Sequence, residues 1–205
     1  RRQRQMCIRA RRMLGEGGRT AERVGEDGVL PQPMRCVDNP DAAAQPGLPE
    51  MTRRAVARLT EDPGKGFFLM IEAALIDKAS HFRSPCGSIS DLAQLDATVR
   101  FLADYARGHG ETLIILTADH TQAAQLVPNT TLYQSADDPV HTPGRLARVQ
   151  LPDGSVMGVN YATNSYFVEE HTGAHVPLHT NRPERFPGYL TQADVFVVMR
   201  EFLGL

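Results

Sequence analysis

Apolar and polar positions fall into a regular order only from Leu48 onward. There Met51, Ala55 and Leu59 recur every four residues behind Pro49, until Pro63-Gly64 interrupts them. That spacing predicts an amphipathic helix with proline in its first turn. Residues 67–71 form a continuous apolar run, as expected of a strand buried on both faces. Leu92, Leu95, Val99, Leu102 and Ala106 then make a helical stripe closed by Gly108, and residues 113–116 give a second buried strand. Helix, strand, helix, strand in this order predicts an α/β layer with parallel strands. Further on, 148–151 and 156–159 flank Pro152-Asp153-Gly154, a hairpin signal. Thr191 and Asp194 are spaced as a capping pair for a helix running through Val198 and Phe202.

Composition bounds the answer without deciding it. The chain has 205 residues, 41% of them hydrophobic, enough for one domain with its own core. A formal net charge of -2 argues against a surface that generally binds nucleic acid. No run approaches a membrane span, so the chain reads as soluble. Residues 1–33 stand apart: Arg1, Arg2, Arg4, Arg9, Arg11 and Arg12 crowd a stretch that turns Gly-rich at Gly15. They read either as a basic arm or as a solvated face, and the second is the simpler account. Residues 37–48, rich in Pro, Asp and Ala, read as a connecting loop. Cys7, Cys36 and Cys86 form no close pair, which speaks against a cysteine-based zinc site. Count alone favours three unrelated buried thiols, with a Cys36–Cys86 bridge as the alternative.

The residues able to do chemistry cluster after the two apolar runs. Glu72, Asp77, Lys78 and His81 follow the first, and Asp119 and His120 follow the second. In an open α/β sheet, ligands gather beyond the carboxyl ends of strands, so both clusters are expected on one rim. Asp77 and His81 lie four residues apart and share a face if their segment is helical. A carboxylate with an imidazole suits zinc, and two such pairs suggest two neighbouring cations of the kind used in phosphoryl transfer. A third cluster holds His171, His175 and His179 and begins in Glu169-Glu170-His171-Thr172-Gly173. Singly, each has an ordinary reading as a capping, salt-bridged or loop residue; His109 and His141 read as solvated, and His175 and His179 as structural.

The order of these motifs resembles the bacterial alkaline phosphatase family. The stretch 65–78 with His81 is similar to that family's first metal-binding segment, Thr117-Ala118-Asp119-His120 to its second, and Glu170-His171-Thr172-Gly173 to its third. The similarity runs from about Met34 to Leu205, so that 34–205 reads as the carboxyl-terminal portion of such a domain. The resemblance implies a partial three-layer α/β/α fold with a largely parallel central sheet. It implies Asp77, His81 and His171 as ligands of one zinc, Asp119 and His120 as ligands of a second, and Glu72 as a ligand of one magnesium. It further implies Lys78 as a residue that reaches phosphate, and a Cys36–Cys86 disulfide in a periplasmic or secreted protein. Small phosphate monoesters are the implied substrates, without nucleic-acid specificity, and a homodimer the implied full-length assembly.

In that family a serine attacks phosphorus and the resulting phosphoserine is hydrolysed. The serine belongs to an Asp-Ser-Ala type motif that does not occur in these 205 residues. The family's bridging aspartate, its threonine ligand of magnesium and its phosphate-clamping arginine are likewise unmatched. Ala73 and Leu75 stand where the family has Gly and Ser. The expectation is therefore an incomplete chain, inactive by itself. The alternatives are a phosphodiesterase or sulfatase of the wider superfamily, or a catalytically inactive metal-binding fragment.

Overall fold

The computed structural model describes residues 12–23, 29–62, 64, 66–128, 130, 144–161, 164 and 166–205. Arg1, Arg2, Arg4, Cys7, Arg9, Arg11 and His141 lie outside the described residues. In chain order come β1 (Met13–Glu16), β2 (Ala21–Glu22), β3 (Arg35–Asp38), α1 (Leu48–Leu59), α2 (Ala74–His81) and α3 (Pro85–Gly108). They are followed by β4 (Ile115–Leu116), β5 (Thr121–Gln122), β6 (Ala124–Val127), β7 (Arg145–Gln150) and β8 (Val156–Tyr161). Then come β9 (His171–Thr172), β10 (His179–Thr180) and α4 (Gln192–Phe202).

The core lies where a sheet meets the start of α3. β7 and β8 form the expected antiparallel hairpin, flanked by β2 and β6 in the order β2-β7-β8-β6. Its turn closes through Gly154, whose φ of 85° is a conformation that costs glycine little. Met34, Cys86, Ala147, Val149, Val159 and Tyr161 pack together, with Met13, Cys36 and Met157 against them. A Cys36–Cys86 disulfide joins β3 to the first turn of α3 at the centre of this cluster. Strands β1 and β2 pair with β3 and β7, tying residues 13–22 to the rest. The Arg12 guanidinium is used structurally, donating to the carbonyls of Ala42 and Gln45 at 2.7 Å each.

The sheets depart from expectation. Every strand pair among the described residues is antiparallel, and the one parallel contact is the bridge Met34–Val149. A largely parallel central sheet is therefore not confirmed by the strand pairs of the described residues. Residues 67–71 belong to no strand, and Phe68 and Met70 are 57% and 58% exposed. Alternate side chains are thus more than half open to solvent among the described residues, whereas a strand buried on both faces is covered on each side. Of 113–116, only Ile115 and Leu116 enter a ladder, antiparallel to His179 and Thr180.

The helices are where the periodicity placed them, but turned. In α1 the buried residues are Leu48, Thr52 and Val56. Helix α3 begins seven residues before Leu92 and buries Cys86, Gly87, Ser90, Asp91 and Thr98, leaving Leu92 56% exposed. Polar Ser90 and Thr98 are accommodated because their hydroxyls donate to the carbonyls of Gly87 and Gln94, at 3.0 and 2.8 Å.

Helix α4 opens with the predicted capping box: the Thr191 hydroxyl accepts from the Asp194 amide, and the Asp194 carboxylate accepts from the Thr191 amide. None of its residues is buried, so the cap carries much of its stability. Thr191→Ala is expected to cost about 1 kcal/mol, read as faster amide exchange in the first turn of α4. Hydrogen bonds from the Thr191 hydroxyl and amide hold the Asp194 carboxyl below its ordinary 3.8. A group depressed on folding stabilises above its unfolded value, so this contribution is present above about pH 4 and lost as pH falls through the lower folded value.

Candidate metal centre

Three segments far apart in sequence bring their donors to one point. Helix α2 sets Asp77 and His81 one turn apart, as the four-residue spacing anticipates. Strand β5 follows Asp119-His120 directly and pairs antiparallel with β9, with Gln122 opposite His171 and Thr121 opposite Thr172. The Thr121 hydroxyl fixes this short ladder by donating to the Thr172 carbonyl at 2.8 Å.

The Asp77 carboxylate is the hub. Its Oδ1 lies 3.3 Å from His81 Nε2, 3.5 Å from His171 Nε2 and 3.7 Å from His120 Nε2. His81 Nε2 and His171 Nε2 are 3.1 Å apart. The His120 ring stacks on that of His171, centroids 3.4 Å apart and planes inclined by 18°. One donor atom each from Asp77, His81 and His171 falls within 4.8 Å of the others. Each side chain is partly open to solvent, with His171 the most exposed at 44%.

The donor set and its supports fit zinc. A carboxylate oxygen and two imidazole nitrogens leave a fourth position open, the ligand count of a reactive rather than a purely structural zinc site. His81 Nδ1 is hydrogen-bonded to the Glu169 carbonyl, which fixes Nδ1 as the N–H donor and leaves Nε2 its lone pair toward Asp77. Gln122 donates from its side-chain amide to Asp77 Oδ1, orienting the carboxylate. Two imidazole lone pairs 3.1 Å apart repel each other unless a proton or a cation stands between them.

The other expected residues are less closely gathered. Asp119 Oδ2 lies 3.5 Å from His120 Nε2 but is 85% exposed. Glu72 lines a separate small recess with Leu48, Ala73, Ala74, Leu75, Asp91 and Gln94. Leu75 is buried there, so its bulk is spent on packing. Lys78 is exposed on α2. Among the described residues no further group of three donors forms. His109 stacks on Tyr105 at the end of α3 and is hydrogen-bonded to the Tyr105 carbonyl, and His175 lies beside Tyr189.

Periodicity and motif order missed Gln122, Arg83 and Glu169. Gln122 carries a recoverable signal: two residues after His120 it occupies the same face of an extended segment. Glu169 opens the Glu-Glu-His run without showing which carboxylate turns inward. The structure buries Glu169 completely and leaves Glu170 exposed. Nearby, burial and then the Glu169 charge push the Tyr161 phenol well above its ordinary range, with Arg83 opposing.

Comparison with known proteins adds to this geometry. The sequence profile of the alkaline phosphatase family matches residues 30–195. Alkaline phosphatase H of Pseudomonas aeruginosa is 34% identical over 182 residues, covering 87% of this chain and 36% of that protein. Alkaline phosphatase of Escherichia coli is 35% identical over 175 residues, covering 84% and 35%. Streptomycin-6-phosphate phosphatase of Streptomyces griseus is 34% identical over 184 residues, covering 84% and 39%. The chain thus spans between about a third and two fifths of the length of these curated relatives.

Proposed function

Because this chain belongs to the alkaline phosphatase family, we propose that it serves the hydrolysis of phosphate monoesters by holding the metals of the reaction. Membership implies an α/β fold. The same reading assigns 67–71 and 113–116 to the parallel central sheet of a three-layer α/β/α domain. The observation that carries it is the convergence of three imidazole nitrogens on one Asp77 oxygen.

Asp77, His81 and His171 would hold one zinc, Asp119 and His120 a second, and Glu72 a magnesium. When bound, zinc supplies hydroxide near neutral pH and stabilises charge on the phosphoryl oxygens. The chain's own residues prepare that site. The Glu169 carbonyl keeps the His81 proton on Nδ1, Gln122 fixes the Asp77 carboxylate, and the β5–β9 ladder ties the Asp119-His120 segment to His171. Lys78, exposed on the helix that carries Asp77, is the proposed contact to phosphate.

Small phosphate monoesters are the proposed substrates, in keeping with a relative whose name is that of a small-molecule phosphatase. A phosphodiesterase or sulfatase reading is less well supported, since the matched profile and the relatives named above are all phosphatases. The Cys36–Cys86 disulfide supports a periplasmic or secreted setting, where such bonds persist. A homodimer is the proposed assembly of the whole protein.

The 205 residues contain no Asp-Ser-Ala nucleophile segment. Pure chain supplied with zinc and magnesium is therefore expected to release no p-nitrophenol from p-nitrophenyl phosphate above the metal-only control. Turnover by the unaltered chain that disappears in His171→Ala would overturn the inactive-chain part of the reading. It would also place a nucleophile within these residues.

A further inference from the structure

We propose that the buried Arg83–Glu169 ion pair is a positioning device that sets His81 and His171 at metal-binding separation; the inference rests on the zinc reading above and adds to it two residues that bind no metal. Its first half is the end of α2. His81 is the last residue of that helix, and the chain closes it with two hydrogen bonds: Arg83 N–H to the Ser80 carbonyl at 2.9 Å and Ser84 N–H to the Ala79 carbonyl at 2.8 Å. This is a Schellman closure, whose penultimate position takes a left-handed backbone and is usually glycine. Here it is arginine, with φ of 51°. Among the described residues it is the one non-glycine with positive φ. A side chain there costs of order 1 kcal/mol, so a helix stop alone gives no reason for arginine.

The second half supplies the reason. The guanidinium is 4% exposed and the Glu169 carboxylate fully buried, with Arg83 Nε donating to Glu169 Oε2 at 2.8 Å. Its remaining nitrogens donate to the carbonyls of Tyr166, Phe167 and Val168 at 2.9, 3.2 and 3.2 Å. Nη2 also lies 3.4 Å from Asn164 Oδ1. One guanidinium thus gathers three consecutive carbonyls and a carboxylate from a bend that forms no helix or strand of its own. The Glu169 backbone completes the connection: its N–H donates to the His81 carbonyl at 2.8 Å, and its carbonyl accepts from His81 Nδ1. Two residues later comes His171. The pair therefore connects the last residue of α2 to the segment that delivers the third ligand, and it acts through backbone that touches His81 at both ends.

Removing one partner would strand a buried charge and confuse unfolding with misplacement. The informative change is the double variant Arg83→Gly/Glu169→Gln, which removes both charges and gives the left-handed position to the residue that fits it best. Zinc titration calorimetry and the visible absorption of the cobalt-loaded chain are the readouts, with far-UV circular dichroism as the fold control. We expect helix content to be kept, zinc affinity to fall on the order of 10- to 100-fold as for other groups that orient ligands, and the tetrahedral cobalt bands to weaken. A double variant that binds zinc as tightly as the unaltered chain, with the same cobalt spectrum, would overturn the inference and leave the zinc reading standing. An unaltered chain that binds no zinc would overturn the zinc reading itself, and this inference with it. Should the double variant fail to fold, Arg83→Gln/Glu169→Gln decides: it also removes both charges while keeping most of the side-chain volume, and unchanged zinc affinity in it overturns the positioning role.

Discussion

Asp77→Ala should lose zinc more completely than any other single change in the chain. Its Oδ1 is the atom on which His81, His120 and His171 converge, at 3.3, 3.7 and 3.5 Å. Without it three imidazoles face one another with no anionic donor among them, and the Gln122 amide is left with no acceptor in its place. A ligand removed outright costs more than a misplaced one, so the affinity should drop beyond the roughly 100-fold that supporting residues reach. Calorimetric titration of the altered and unaltered chains reads this directly. The fold should be little changed, because the Asp77 side chain is 36% exposed and takes no part in the core. A variant that keeps the original zinc affinity would mean that the donors converge for another reason.

The second large effect concerns stability. The Cys36–Cys86 bridge spans a separation of 50 residues. Closing a loop of that length in the unfolded chain is worth about 4 kcal/mol in the chain-entropy model. Cys86 is fully buried against Met34 and Tyr161, so alanine at both cysteines also opens space in the core. Cys36→Ala/Cys86→Ala should therefore move the denaturant midpoint sharply downward, and full reduction should do nearly the same. Equal midpoints for the oxidised and reduced chains would show that the bridge only decorates a core that is stable without it. Domains of this size commonly hold about 5–15 kcal/mol in all, so the loss is a large fraction of the total.

Local signals were legible and distant ones were not. The Pro152-Asp153-Gly154 turn, the Thr191/Asp194 cap and the Asp77/His81 spacing depend on neighbours within a few residues, and each takes the form its spacing predicts. Helix faces were harder to read. Met51, Ala55 and Leu59 are more apolar than the set including Thr52, yet Leu48, Thr52 and Val56 are the buried ones. Hydrophobicity alone cannot separate stripes one residue apart when a buried threonine takes part. The parallel sheet was inferred from element order, but order does not say which strands exchange hydrogen bonds, and 67–71 exchange none within a ladder. For the site, the order of three motifs named Asp77, His81, His120 and His171. It gave no hint of Arg83 and Glu169, which meet across 86 residues through a backbone conformation that composition does not encode.

The ladder between β5 and β9 is only two residues long on each side, with His171 directly across from Gln122. Side chains on a strand alternate between faces, so sliding one edge past the other by a single position would swap His171 for Thr172 on the working side. An added residue in the exposed turn at Asp153-Gly154 would enlarge a loop and leave this facing intact. The same addition between His120 and Gln122 would turn the amide away from Asp77, because here the fold counts residues in twos.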